Sequence, residues 1–135
     1  MRLLRSGLVL ALLVVAAGSA QAQDPTRSLE SALRAAAAGA IVQQADQALD
    51  LMVLGSGGVL SPTQASIVLS DFFAQYPPQR SRLTPGVRSG SLQTATGRYW
   101  SARLDRPVSV FARYRQSASG WVLVALRVEA GNPRW

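Results

Sequence analysis

The stretch that decides the fold is Ser61-Pro62-Thr63-Gln64-Ala65-Ser66-Ile67-Val68-Leu69-Ser70-Asp71-Phe72-Phe73-Ala74-Gln75-Tyr76-Pro77-Pro78. Ser61 suits a helix N-cap, and Pro62 suits the first helical position, where its missing N–H has no partner to lose. Gln64 stands three residues after Ser61, as a capping box requires. Ala65, Val68, Leu69, Phe72, Phe73 and Tyr76 then recur at steps of three and four, which builds one wide apolar face. Pro77-Pro78 stops the helix, because proline removes a ladder hydrogen bond and clashes with the preceding turn.

Beyond Pro78 the helical period does not return. Residues 80–88, 92–104, 108–115 and 121–130 read as four strands, with turns at Ser89-Gly90, Asp105-Arg106-Pro107 and Ser117-Ala118-Ser119-Gly120. In the third strand Val108, Val110, Ala112 and Tyr114 share one face, and Ser109, Phe111, Arg113 and Arg115 share the other. In the fourth, Val122, Val124, Leu126 and Val128 form an apolar face opposite Trp121, Leu123, Ala125, Arg127 and Glu129. Short turns between neighbouring strands imply an antiparallel sheet with one dry face.

Upstream, Asp24-Pro25 opens a helix with Leu29, Leu33, Ala36 and Ala37 on one face, and Gly39 is the expected stop. Residues 40–47 are expected to form a second, short helix that buries Ile41, Val42 and Ala45. At Leu49 the period changes: Leu49, Leu51 and Val53 alternate with Asp50 and Met52, as in a strand. Gly55-Ser56-Gly57-Gly58 turns the chain, and Val59-Leu60 returns as a short strand. The fold class is α+β, with N-terminal helices on a four- to six-stranded sheet.

Residues 1–22 have the three parts of a secretory leader: Arg2 and Arg5, an apolar run from Leu8 to Ala17, and the small-residue site Ala20-Gln21-Ala22. That run is too short for a membrane span, which needs about 20 residues. Residues 23–135 are then one α+β domain, exported to the periplasm or the cell exterior.

The chain contains neither cysteine nor histidine, and all 14 of its basic residues are arginine. Disulfides, thiolate metal sites and Ser-His or Cys-His nucleophiles are thereby excluded. Charge is segregated. Residues 23–79 hold two Arg against five acids, whereas residues 80–135 hold ten Arg against two acids. Asp24 reads as a cap and Asp105 as a turn residue; Glu30 and Asp46 lie on polar helix faces. Asp71 lies off the centre of its helix's apolar stripe, Asp50 points opposite Leu49 and Leu51, and Glu129 shares a face with Arg127. No two acids fall on one face with a tyrosine, so no catalytic residue, metal ligand or cofactor site is assigned.

The element order resembles the cone-shaped fold of the nuclear-transport-factor-2-like superfamily. Within it, the chain is similar to a family of small exported bacterial proteins of unknown function. The resemblance is carried by Leu49-Asp50-Leu51, by Gly58-Val59-Leu60-Ser61 leading into Gln64-Ala65, by Asp71-Phe72-Phe73-Ala74-Gln75-Tyr76-Pro77-Pro78, and by Leu126-Arg127-Val128-Glu129. It covers nearly all of residues 25–130. It implies a curved antiparallel sheet wrapped around the helices, with a pocket at the open end of the cone. Strand parity would turn Trp100, Val110, Tyr114 and Leu126 inward to face Phe72 and Tyr76. The candidate ligand-binding residues are Phe72, Tyr76, Trp100 and Tyr114. The superfamily often dimerises through its sheet. The outward set Phe111, Arg113, Trp121 and Arg127 is the candidate interface, for a homodimer or an envelope protein partner.

These readings converge on an exported, non-enzymatic binding or interaction module with a small apolar ligand or a protein partner. The alternative is a small cone-fold enzyme, isomerase- or dehydratase-like, acting on an apolar ligand. Export argues against nucleic acid as the partner, although aromatic and basic side chains are mixed on the sheet.

Overall fold

The computed structural model describes residues 24–131. The leader expected over residues 1–22 and the tail Asn132-Pro133-Arg134-Trp135 lie outside the described residues. The elements run α1 (Pro25–Arg34), α2 (Ala38–Gln43), β1 (Ala45–Val53), β2 (Ser56–Leu60), α3 (Pro62–Gln75), β3 (Arg80–Ser89), β4 (Leu92–Trp100), β5 (Val108–Ser117) and β6 (Gly120–Glu129). The six strands form one open sheet in the order β2-β1-β6-β5-β4-β3. β1 and β6 pair in parallel; the other neighbours are antiparallel. The long crossover through α3 and three further strands makes the parallel pair reachable.

Local chemistry sets the helix ends. Asp24 Oδ1 accepts the Thr26 N–H at 3.0 Å and caps α1. In α3 the Ser61 hydroxyl accepts the Gln64 N–H at 3.2 Å, and the Gln64 side chain accepts the Ser61 N–H at 3.1 Å. That is the reciprocal box read from the sequence. α1 ends earlier than Gly39. Ala36 takes a left-handed φ of 52°. The Ala36 N–H reaches the Leu33 carbonyl at 3.2 Å and the Ala37 N–H the Ala32 carbonyl at 2.9 Å. These two bonds satisfy the last carbonyls of α1, so an alanine does the work expected of glycine. Gly39 lies inside α2, and α2 ends at Gln43 rather than continuing to residue 47.

The helices cover one face of the sheet. Leu29, Leu33, Ile41, Leu69, Phe72 and Phe73 pack against Leu49, Leu51, Val110, Ala112, Tyr114 and Leu126 in one buried cluster. Each fully buried leucine there stabilises the fold by about 1.5–3 kcal/mol. β3 and β4 approach closely at Gly97: a Cβ there would lie 1.9 Å from the Arg82 carbonyl oxygen. No other residue fits without displacing backbone.

Two face assignments differ from the simple alternation. Tyr99, not Trp100, points into the core: Tyr99 is fully buried, and Trp100 pairs with Arg80 on the opposite face. β4 also ends at Trp100 rather than running to residue 104; Ser101 to Leu104 close a turn, in which the Leu104 N–H donates to the Ser101 carbonyl at 3.1 Å. In β6 the register shifts: Arg113 pairs with Ala125 but Tyr114 pairs with Leu123. Val124 is the extra residue of a bulge, which reverses parity for everything before it. Leu123 is therefore fully buried, and Trp121 packs at the margin of the core.

Candidate functional site

Where a pocket was expected in the cone, aromatic side chains fill the space. The Phe72 ring lies 5.1 Å from Tyr99, 5.6 Å from Phe73 and 5.6 Å from Tyr76, all tilted. Such tilted contacts let ring edges meet ring faces. Both inner tyrosine hydroxyls are committed to the backbone. Tyr99 donates to the Tyr76 carbonyl at 2.5 Å, and Tyr114 donates to the Pro25 carbonyl at 3.3 Å. Burial pushes both hydroxyls above the ordinary tyrosine value; nearby Asp24 adds to the rise at Tyr114. Among the described residues no carboxylate hydrogen-bonds either hydroxyl.

The four residues expected to line one pocket are thus separated. Tyr114 is core, and its hydroxyl secures the start of α1. Trp100 sits on the other face, with the Arg80 guanidinium 4.9 Å above its ring. Phe72 and Tyr76 do share a cavity, but a different one. A half-open cleft of about 330 Å³ lies between α3 and the β1–β2 turn, lined by Val53, Leu54, Ser56, Val68, Asp71, Phe72, Gln75 and Tyr76. Its floor is apolar and its rim is polar. Among the described residues the Asp71 carboxylate makes no ion pair and no hydrogen bond. Leu54, on the cleft wall, is held at a φ of 48° ahead of Gly55 at 85°. That pair forms a tight hairpin turn in which leucine is strained. The turn expected over Gly55-Ser56-Gly57-Gly58 is tighter and one residue earlier, because Ser56, Gly57 and Gly58 pair with β1 as part of β2; the sequence showed the aromatic stripe but not that the turn folds against the helix.

No described helix covers the outer face of the sheet. That face carries Arg82, Arg98, Arg113 and Arg115, all exposed, with Phe111 and Trp100 half-buried between them. Arg113 lies 6.0 Å from the Phe111 ring, and Arg127 pairs with Asp50 at 3.4 Å. Of the four expected interface residues, Phe111, Arg113 and Arg127 share this face. Trp121 does not: the Val124 bulge turns it to the inner side, where Arg88 stacks 4.8 Å over its ring. Arg82 and Arg98 belong to this face by pairing and were absent from the candidate set; their equal distance from the β3–β4 turn was the available signal.

Among the described residues no group of three acids, histidines or cysteines is placed to hold a metal ion. No described helix is long and apolar enough to cross a membrane.

The sequence matches the family described as "Domain of unknown function (DUF4783)" over residues 26–129. No curated protein matches the chain. Among solved structures it is similar to a DUF4783 family protein from Bacteroides uniformis. That match has a TM-score of 0.71 and 13% identity, over 82% of this chain and 100% of that one. It is also similar to a candidate dehydratase of the nuclear-transport-factor-2-like family from Streptomyces avermitilis, with a TM-score of 0.57 and 11% identity over 79% and 91% of the two chains. A third similar structure is a candidate calcium/calmodulin-dependent protein kinase type II association domain from Thiobacillus denitrificans. Its TM-score is 0.59 and its identity 12%, over 78% and 91%. At these identities the likeness shows the fold alone. The chain therefore belongs to the DUF4783 family, a domain of unknown function, built on the nuclear-transport-factor-2-like fold.

Proposed function

We propose that the chain is an exported, non-enzymatic binding or interaction module that meets its partner on its surface. One observation carries this reading: buried side chains pack the space between helices and sheet, and its two tyrosine hydroxyls are spent on the carbonyls of Tyr76 and Pro25. An enzyme of this fold would need a polar group free to move a proton inside the cone. Here the interior acts as scaffold, and the unsatisfied chemistry lies outside.

Co-sedimentation of the processed chain with the envelope fraction of the cell that exports it tests this reading. The expected result is saturable retention in the pellet. A chain that stays wholly in the supernatant, at low and high salt alike, would count against it.

The enzyme alternative has one observation in its favour. The cleft beside α3 holds an unpaired carboxylate, Asp71, next to Gln75 and Tyr76 over an apolar floor. Asp71 and Tyr76 do not hydrogen-bond each other. Saturable NMR shifts at Val68, Phe72 and Tyr76 with a small apolar ketone, lost in Asp71→Asn, would favour that alternative.

A further inference from the structure

The helix-free face carries positive charge that the fold leaves uncompensated. Arg82 on β3 and Arg98 on β4 are direct cross-strand partners. Like charges placed opposite each other on one face of an antiparallel pair are destabilising. Neither guanidinium has an ion pair, hydrogen bond or ring contact among the described residues. Arg113 and Arg115 extend the charge along β5, opposite Thr94 and Leu92. Of the acids on this face, Asp50 is already paired with Arg127, and Glu129 lies opposite Ser109.

A self-complementary dimer through this face would bring two copies of its excess positive charge together. The complementary partner is an anion, and arginine forks suit phosphate. The neighbouring apolar side chains select among phosphate-bearing partners. Val87 is 79% exposed and Leu92 is 43% exposed, at the tip of the β3–β4 hairpin. Leu92 is the direct cross-strand neighbour of Arg115. Exposed apolar residues beside arginines suit the boundary between lipid headgroups and acyl chains. A soluble polyanion would have no use for them.

We propose that the helix-free face docks on a bilayer of anionic phospholipid. Arg82, Arg98, Arg113 and Arg115 hold headgroup phosphates, and Val87 and Leu92 enter the acyl boundary. This deepens the binding-module reading and rests on it.

The test is co-sedimentation of the processed chain with phosphatidylcholine vesicles that either lack or contain about 30% phosphatidylglycerol, at two salt concentrations. Binding is expected with the anionic vesicles alone, and it weakens as salt rises. The combined change of Arg82, Arg98, Arg113 and Arg115 to Gln is expected to lower partitioning about a hundredfold or more. Val87→Ser with Leu92→Ser is expected to lower it several-fold. Those six side chains are solvent-facing, and an unchanged melting curve confirms that each variant folds. Equal binding to neutral vesicles overturns the proposal. So does binding to polyphosphate with no binding to vesicles. If vesicles fail while the envelope fraction still retains the chain, the bilayer proposal falls and the binding-module reading stands.

Discussion

Glu30 and Leu83, 53 residues apart in the chain, meet at the open edge of the sheet, where Glu30 Oε2 accepts the Leu83 N–H at 2.8 Å. The Ser81 hydroxyl donates to the Glu30 carbonyl at 2.9 Å. β3 is an edge strand, and its outward N–H groups would otherwise stand open to another chain. One helical carboxylate thus docks α1 and closes part of the edge. Glu30→Ala is expected to lower unfolding stability by about 2 kcal/mol, the range for a hydrogen bond to a charged group. Arg34, whose exposed guanidinium pairs with Glu30 at 3.0 Å, is expected to matter far less: Arg34→Ala costs below about 0.5 kcal/mol. Urea denaturation separates the two. Equal costs would mean that the surface pair, not the strand contact, gives Glu30 its value.

Ala36 occupies the left-handed position that ends α1. An L-residue is strained there, and glycine is not. Ala36→Gly is therefore expected to raise stability by about 0.5–1 kcal/mol, against the usual direction of such a change. A lower urea midpoint in the variant would show that the Ala36 methyl contributes more by packing than it costs in strain.

The pH dependence of stability is unusually simple here. The chain has no histidine, cysteine or lysine, so tyrosine is its one side-chain type that ordinarily titrates between about pH 7 and 12. Burial raises the pKa of Tyr99 and Tyr114 in the fold. Below about pH 10 both states keep these protons, and the two residues add no slope. Above it the unfolded chain loses them while the folded chain holds them. Stability should then fall by about 1.4 kcal/mol per pH unit for each tyrosine. Tyr114→Phe should reduce that slope. A flat profile to pH 11 would show that the hydroxyls are not sealed.

The leader expected over residues 1–22 makes its own prediction. Expression of the full chain in a bacterial host should yield a mature protein that starts at Gln23, after cleavage behind Ala20-Gln21-Ala22. Mass spectrometry of the envelope and cytoplasmic fractions checks it. An intact chain confined to the cytoplasm would remove export, and with it the envelope setting of the proposed function.

Much of the fold was legible because its signals are local. The capping box, the Pro62 start and the Pro77-Pro78 stop all act within a few residues, and α3 formed where they placed it. The strands after Pro78 were legible from period two. What was not legible depends on distant partners. Tyr99 and Trp100 are both apolar enough for a core, and their order of facing is set by pairing with Ser81 and Arg80. The Val124 bulge sits in an unbroken apolar run, Trp121 to Leu126, in which alternation has no contrast to show a shift. The α1 stop falls at Ala36, an alanine in the left-handed conformation that favours glycine, so its residue type carries no stop signal. Of the site, the residues were visible but not their grouping. Trp100 and Trp121 each had the right composition for a pocket or interface, and the register put each on the opposite face; Tyr114 does face inward, where it is packed as core.

The claim that the packed interior is scaffold and the outer sheet face is the working surface can be read from side-chain NMR. Arginine Nε–Hε signals report the outer face, and tyrosine ring signals report the interior. On adding phosphatidylglycerol-containing bicelles, the account predicts shifts at Arg82, Arg98, Arg113 and Arg115 with the Tyr99 and Tyr114 rings unmoved. Shifts centred on Tyr99, Tyr114 and Phe72, with those four arginines silent, would contradict it.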